Sequence, residues 1–259
     1  MTKGSRSSEP RLITPKLNFS NPYFSYLLLL INKDGVIMIK FAIFDLDGTL
    51  LNSSEMWRTL GARYLTFLKK TPEEGLSEKL VEMTLLTGAQ YLRQQYEIPY
   101  SAEEIVRHLT RMIEGYYAEE VSLKDGAPKL LAALRSQCVH MSIATAGDER
   151  LGMRALMRLG VGDFFTGAVS CSDYGAKTTP DVFLAAADLI YAIPEETIVF
   201  EDALYAVRTA KKAGFVTAAV RDVSESDQAG LKRAADFYAE NLGDFADNIK
   251  ELLGLDVGG

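Results

Sequence analysis

Two aspartates separated by one residue, Asp45 and Asp47, end the apolar run of the segment FAIFDLDGTL (41–50). A carboxylate at the end of a buried strand is costly to remove from water. Two carboxylates this close also repel each other, which raises a pKa unless a cation lies between them. The spacing therefore predicts a cation beside this pair.

Polar side chains also end other apolar runs. Thr145 ends HMSIAT, Glu201 and Asp202 end TIVFED, and Lys177 follows GAVSCSDYG. In open parallel α/β sheets, ligands bind at the carboxyl ends of the strands, so we expect these side chains to converge with the first two aspartates. Oxygen ligands without His or Cys suit Mg²⁺. We predict that Mg²⁺ is bound there by the four acids, Asp45, Asp47, Glu201 and Asp202.

Strand and helix patterns alternate along most of the chain. Apolar runs at 39–46, 140–145, 167–170, 197–202 and 215–220, with an edge strand in ADFYAEN (235–241), are separated by single helical patterns. This alternation predicts an α/β fold, a Rossmann-like parallel sheet with helices on both faces. Three helical patterns at 55–70, 76–96 and 102–119 follow the first strand without a strand between them. They predict an inserted all-helical cap domain.

The predicted domain organisation follows from this order. Residues 38–53 and 122–259 form the catalytic core, and residues 54–121 form the helical cap. Residues 1–37 are rich in Ser, Pro and basic side chains, and we interpret them as a disordered extension or a mis-called start. Their apolar stretch at 23–31 is far shorter than the roughly 20 residues of a membrane span. We therefore expect no membrane partner.

Composition restricts the partners and the compartment. The 259 residues carry a net charge of −7, which argues against nucleic acid as a main partner. A small phosphorylated metabolite needs only a local electropositive pocket. The two cysteines, Cys138 and Cys171, lack metal-ligand spacing and indicate a reduced, cytoplasmic protein. We expect a monomer or a weak homodimer.

Four segments in order resemble the motifs of the haloacid dehalogenase superfamily, whose members are mostly phosphatases. They are DLDGTL, the strand end at Thr145, AKTTPDVF (176–183) and VFEDA (199–203). Their order and the helical insertion are similar to the beta-phosphoglucomutase-like branch, and the likeness covers 38 to about 245. Thr178 stands where the family usually has Pro, and we expect Lys177 to remain in register.

The resemblance implies catalytic roles. Asp45 would be the nucleophile that forms an aspartyl-phosphate, and Asp47 the general acid and then the general base. Thr145 and Lys177 would bind the phosphoryl oxygens. Mg²⁺ would be held by Asp45, the backbone carbonyl of Asp47, Asp202 and Glu201.

Four further positions are candidates for binding substrate. Gly48 permits a sharp turn beside the phosphate, and the amides of Ala146 and Gly147 are candidate phosphate donors. Trp57 is expected in the cap core with Tyr64 and Phe67, or lining the pocket.

These residues predict a Mg²⁺-dependent phosphatase of a small phosphate monoester, such as a sugar phosphate. The alternatives are a beta-phosphoglucomutase-type mutase and a non-catalytic phosphate-binding scaffold. Such mutases carry a histidine ten residues after the acid/base aspartate. Trp57 stands at that position here, which favours hydrolysis over the mutase reaction.

Overall fold

In the described part of the chain, six parallel strands form one sheet, in which the third strand along the chain is followed across the sheet by the second, the first, the fourth, the fifth and the sixth. The computed structural model describes residues 38–80 and 83–255, so the predicted extension 1–37 lies outside the described residues. The strands are β1 (Phe41–Phe44), β2 (His140–Thr145), β3 (Phe165–Ser170), β4 (Thr197–Glu201), β5 (Val216–Val220) and β6 (Phe237–Ala239). The first strand lies at the centre of the sheet, between β2 and β4, and β6 lies at an edge as predicted.

Four α-helices follow β1 before the chain returns to the sheet. They are α1 (Ser54–Phe67), α2 (Leu76–Leu80), α3 (Leu85–Gln95) and α4 (Ala102–Gly115), and a π-helical turn, Tyr116–Glu120, ends the segment. A capping box starts α4, because the Ser101 hydroxyl accepts from the Glu104 amide and the Glu104 carboxylate accepts from the Ser101 amide. We call residues 54–121 the helical insertion.

The remaining helices cover both faces of the sheet. They are α5 (Ala127–Ser136), α6 (Glu149–Arg158), α7 (Cys171–Tyr174), α8 (Asp181–Asp188), α9 (Leu204–Lys212), α10 (Gln228–Ala234), α11 (Leu242–Asp247) and α12 (Ile249–Leu252). Side chains alternate along β1, so Phe44 belongs to one buried cluster with α5, α6 and α11, and Ile43 to another with α8 and α9. The predicted parallel sheet with helices on both faces is confirmed.

Several predicted element bounds are wrong. The first strand is shorter than 39–46. The single helical pattern at 76–96 is two helices, because Thr84 caps a new one by accepting from the Thr87 amide. Phe67, expected in the cap core, is 74% exposed because it is the last residue of α1, whereas Tyr64 is buried. Within the described ranges, no helix has the length and apolar character needed to cross a membrane.

Candidate active site

The carboxyl ends of the two central strands bring three acids together. Asp45 directly follows β1, and its amide donates to the Phe200 carbonyl at 3.0 Å. Phe44 and Phe200 are paired in the ladder, so β1 and β4 end at the same level. Glu201 and Asp202 therefore lie beside Asp45. One carboxylate oxygen from each lies within 4.8 Å of the other two, and all three residues are buried.

Lys177 supplies positive charge to this cluster from the loop before α8. It is buried, and its ammonium group donates to Asp45 and, at 2.6 Å, to Glu201. The loop keeps a hydrogen-bonded turn, since the Thr179 amide donates to the Ala176 carbonyl at 3.0 Å. With Thr178 in this turn, the Lys177 ammonium group is directed at the acids.

Gly48 and two hydroxyls fix the orientation of Asp202. Gly48 has a φ of +88°, and a Cβ there would lie 2.4 Å from Asp202 Oδ2, so only glycine allows this approach. The Thr49 hydroxyl donates to Asp202 Oδ1 at 3.2 Å. The Ser224 hydroxyl donates to Oδ2 at 3.1 Å. Asp202 is thus held by neutral donors that leave its charge uncompensated.

Asp47 is held by the residue just before the helical insertion and by a residue near the end of the insertion. Its Oδ1 accepts from the Ser53 hydroxyl at 2.6 Å and from the Tyr117 hydroxyl. Ser53 precedes α1, and Tyr117 lies in the π-helical turn after α4. Trp57 Nε1 donates to the Tyr117 oxygen at 3.2 Å. Trp57 therefore reaches Asp47 only through Tyr117.

The end of β2 lies beside Asp47. The Thr145 hydroxyl accepts from the Gly147 amide at 3.0 Å. A Cβ on Gly147 would lie 3.2 Å from Asp47 Oδ2, which shows how closely this loop approaches the carboxylate. Ala146 lines the cavity that contains Asp45 and Lys177. The end of β2 therefore places small residues and backbone amides next to the acids.

Two cavities meet at this site. The smaller, of about 290 Å³, contains Asp45, Lys177 and the other acids. The larger, of about 440 Å³, lies against the helical insertion and includes Trp57. Asp47 and Ser224 line both cavities. Of the residues that the sequence predicts as a site, Trp57 is thus in the larger cavity, and the others lie in or beside the smaller.

The acids carry more negative charge than Lys177 neutralises. Burial raises the pKa of the Asp45 carboxyl well above its usual range, Lys177 opposes this, and the Glu201 and Asp202 charges raise it further. Burial and the charge of Glu201 raise the pKa of Asp202 to about 7. Burial would lower the pKa of Lys177, but Asp45 and Glu201 together raise it, so the ammonium stays charged.

This donor set fits a divalent cation. Three buried carboxylates converge without a His or Cys among them, and hard oxygen ligands of this kind suit Mg²⁺. A second positive charge beside Lys177 would offset the excess negative charge that raises the acid pKa values. Asp47, whose backbone carbonyl is the remaining predicted ligand, is two residues after Asp45 in the sequence. The predicted ligands are thus compatible with the metal.

A family model described as haloacid dehalogenase-like hydrolase matches residues 42–220, which include β1 from its second residue, all of β2 to β5, and all of the acids above. The chain belongs to this family. The family resemblance of the motifs and the prediction of a hydrolase are therefore confirmed.

Two curated relatives of this hydrolase are named as phosphatases. A phosphorylated carbohydrates phosphatase from Thermotoga maritima is 24% identical over 173 residues, covering 66% of this chain and 80% of the relative. A probable pseudouridine-5'-phosphatase from Drosophila melanogaster is 26% identical over 218 residues, covering 79% of this chain and 94% of the relative. The two names specify different substrates.

A solved structure shows the same fold. The crystal structure of a putative beta-phosphoglucomutase from Thermotoga maritima superimposes with a TM-score of 0.74 at 22% identity. The match covers 83% of this chain and all of that one. At this identity the likeness concerns the fold, which for this hydrolase is the sheet with its helical insertion.

Sequence reasoning missed Ser53, Tyr117 and Ser224. Ser53 stands just before a helical pattern, so a helix cap at that position could be predicted from the sequence. Its contact with Asp47 could not be predicted. Tyr117 is 70 residues from Asp47, and Ser224 is 22 residues from Asp202. No motif marks either residue. Only the folded chain brings these hydroxyls to the carboxylates.

Proposed function

We propose that this hydrolase is a Mg²⁺-dependent phosphatase that cleaves a small phosphate monoester through a phosphorylated Asp45. The observation that carries the proposal is the buried cluster in which Asp45 faces Lys177, Glu201 and Asp202. The phosphatase names of the relatives agree with it. A charged nucleophile beside a buried lysine and metal-binding oxygens is what phosphoryl transfer requires.

The reaction takes place in two displacements. A carboxylate oxygen of Asp45 attacks phosphorus, the P–O bond to the alcohol breaks, and Asp47 gives its proton to the departing oxygen. Asp47 then takes a proton from water, whose oxygen attacks the phosphorus of phospho-Asp45. The bond to Asp45 breaks and inorganic phosphate leaves. One ester and one water thus become one alcohol and one phosphate, and both aspartates return to their starting states.

The loops around Asp45 would bind the phosphoryl oxygens. Lys177 balances their charge, and the Ala146 amide adjoins the same cavity. Thr145 accepts from the Gly147 amide, so its hydroxyl hydrogen can donate to phosphate. The turn at Gly48 keeps the backbone close to Asp202.

The carboxylates of Asp45, Glu201 and Asp202 and the backbone carbonyl of Asp47 would hold the metal. When bound, Mg²⁺ supplies positive charge that neutralises the nucleophile and the phosphoryl group as they approach. The uncompensated charge of the buried acids supports this assignment.

The helical insertion, residues 54–121, would act as a movable cap over the core, residues 38–53 and 122–259. Its two joints lie side by side, since the Asn52 amide donates to the Ser122 carbonyl at 2.9 Å and Leu51 bridges to Leu123. Adjacent joints allow one segment to rotate while both connections are kept. Closure would exclude bulk water from the first displacement, as lids do in other enzymes.

Phosphate release from p-nitrophenyl phosphate tests the proposal. We expect turnover that needs Mg²⁺, stops in EDTA, and falls at least about 10³-fold in Asp45→Asn, because an amide is a poor nucleophile. Asp188→Asn, an exposed aspartate on α8, is the matched control and should keep the wild-type rate. Undiminished turnover in EDTA contradicts the metal requirement, and undiminished turnover in Asp45→Asn contradicts the nucleophile.

A second assay separates the phosphatase from the mutase. The indole of Trp57 donates to Tyr117 and cannot exchange a proton with Asp47 at neutral pH. We expect incubation with β-glucose 1-phosphate and a trace of the bisphosphate to give little or no glucose 6-phosphate. Accumulation of glucose 6-phosphate faster than free phosphate assigns the protein as a mutase. Absence of turnover on every ester, with phosphate still bound, assigns it as a scaffold.

A further inference from the structure

The larger cavity is placed to receive the part of a substrate that leaves Asp45. It has a volume of about 440 Å³ and shares Asp47 and Ser224 with the smaller cavity that contains the nucleophile. An ester whose phosphoryl group lies at Asp45 would therefore extend its alcohol past Asp47 into this space. A cavity of this size holds a molecule of one or two rings.

Apolar side chains make up most of its wall. Six of them come from the helical insertion, namely Leu60, Leu80, Met83, Leu85, Leu92 and Leu109. Trp57 adds an indole that is partly exposed, and Val223 closes the core side. The indole nitrogen is already hydrogen-bonded to Tyr117, so Trp57 can offer the cavity its ring face.

Six of the described residues that line this wall are polar, and hydrogen bonds already engage the side chains of five of them, namely Asp47, Ser54, Arg58, Thr84 and Ser224. Arg58 donates to the Glu55 carboxylate at 2.9 and 2.8 Å. The Thr84 hydroxyl accepts from the Thr87 amide, and the Ser224 hydroxyl donates to Asp202. A sugar would bring several hydroxyls into this space, and each hydroxyl that loses water without a new partner weakens binding.

We propose that the alcohol part of the substrate is apolar, an aryl or alicyclic group rather than a polyhydroxylated one. This inference rests on the proposed phosphatase function and narrows its substrate class. The gain on binding comes from covering the leucines and the indole face, and the chemistry at Asp45 is the same for either kind of ester.

A matched pair of esters tests the inference. Cyclohexylmethyl phosphate and glucose 6-phosphate both carry the phosphate on a primary carbon attached to a six-membered ring, and they differ chiefly in the ring oxygen and hydroxyls. We expect kcat/KM for cyclohexylmethyl phosphate to be at least about tenfold higher. Their leaving groups are both primary alcohols, so the difference reports on the cavity.

Two neighbouring leucines provide a variant and its control. Leu85 lines the cavity and is 39% exposed, whereas Leu86 is 45% exposed and does not line it. Leu85→Asn should lower the ratio of the two kcat/KM values about threefold to tenfold. Leu86→Asn should leave the ratio and both rates unchanged. An unchanged ratio in Leu85→Asn overturns the inference.

The outcomes separate this inference from the function it rests on. If p-nitrophenyl phosphate is not hydrolysed with Mg²⁺, the phosphatase proposal fails. If it is hydrolysed, and kcat/KM for glucose 6-phosphate equals or exceeds that for cyclohexylmethyl phosphate, the phosphatase proposal stands. The inference that the alcohol part of the substrate is apolar is then wrong. Hydrolysis of p-nitrophenyl phosphate with turnover of neither ester also overturns the apolar alcohol.

Discussion

The two cavities that meet at Asp47 are lined by opposite kinds of side chain. The smaller contains three buried acids and a buried lysine supplied by strand ends and one loop of the core. The larger is lined mainly by leucines, a methionine and a tryptophan, most of them from the helical insertion. The core cavity is thus built to stabilise charge, and the insertion cavity to remove apolar surface from water.

If the proposed function and substrate class are right, this difference places the reaction and the selection of substrate in separate parts of the chain. The acids of the core lie at the ends of hydrogen-bonded strands, so their positions depend on a backbone that cannot easily shift. The wall of the insertion cavity consists mainly of apolar side chains on helices, and replacing one of them leaves the strand ends of the core unchanged. Changes in the core should therefore affect turnover of every ester, and changes in the insertion should affect which ester is preferred.

Beyond the change at the proposed nucleophile, the largest effect is expected from Asp47→Asn, which removes the proposed general acid and base. We expect kcat to fall about 10²- to 10⁴-fold, because hydrolysis of phospho-Asp45 loses its base. With p-nitrophenyl phosphate, a good leaving group, a burst of one equivalent of nitrophenol should remain. With benzyl phosphate the burst should disappear, since that alcohol needs a proton. Equal bursts from both esters would show that Asp47 does not act as the acid.

Alanine substitutions at two glycines, one in the core and one in the helical insertion, compare the rigidity of the two regions. Gly126, at the start of α5, has a φ of +81°, and a Cβ there would lie 2.0 Å from the Gly243 amide nitrogen. Gly126→Ala should therefore cost about 3 kcal/mol or more of unfolding free energy, because backbone meets backbone. A Cβ on Gly61, in α1, would lie 2.2 Å from Leu80 Cδ1, the end of a flexible side chain, and in ordinary contact with Leu92 Cδ1 at 3.9 Å.

Gly61→Ala should stay within about 1 kcal/mol of wild type, because Leu80 can move and alanine favours the helix. The measurement is chemical denaturation of both variants. Because the displaced Leu80 narrows the larger cavity, Gly61→Ala should also raise KM for cyclohexylmethyl phosphate. Equal destabilisation of the two variants would mean that the insertion is packed as rigidly as the core.

A smaller effect is expected from Tyr117→Phe. The change removes one of the two hydroxyls that hold Asp47 and leaves Ser53 in place. We expect kcat to fall about tenfold with KM nearly unchanged, because the carboxylate is less well oriented for proton transfer. Tyr116→Phe is the control, since that hydroxyl donates to the Asn52 carbonyl and not to Asp47. Equal losses in the two variants would indicate a general packing defect.

The smallest effect concerns the joint between the regions. Lys124 donates to Asp222 at 2.6 Å, next to the second joint. Burial alone would raise the pKa of Asp222, but hydrogen bonds from Lys124, Ser54 and the Ser224 amide lower it. The carboxylate therefore stabilises the fold above its unfolded pKa of about 3.9, and this contribution is lost as pH falls through the folded pKa.

Denaturation of Asp222→Asn at pH 7 and near pH 3 measures this contribution. The deficit of the variant relative to wild type should shrink by about 1 kcal/mol at the lower pH. Lys129–Asp247, an exposed ion pair on the core surface, is the comparison, and Asp247→Asn should show almost no pH-dependent difference. A deficit for Asp222→Asn that is constant with pH would exclude a charge effect.

The sequence predicted the sheet and its acids well, because both depend on short-range pattern. Apolar runs with polar ends mark strands, and parallel strands place those ends at one edge of the sheet. Asp45 and Glu201 could therefore be placed at the same edge from the sequence alone. The contact of Tyr117 with Asp47 could not be predicted, because it depends on how the insertion folds back. The leucines of the insertion were also ambiguous. A helical stripe looks the same whether it packs into a core or lines a cavity.

Asp47 Oδ1 is anchored by Ser53, just before the insertion, and by Tyr117, near its end, and this bears on exchanging the insertion between related enzymes. Tyr117 belongs to a turn that Arg158 ties to the core through the Val121 carbonyl at 2.6 Å. A chimera that replaces 54–115 would keep Ser53, Tyr117 and the Arg158 contact. Its substrate selectivity would therefore change while the anchoring of Asp47 stays intact. A chimera that replaces 54–121 would import a foreign turn. A chimera that is meant to change selectivity alone should therefore end its replaced segment several residues before the end of the helical insertion.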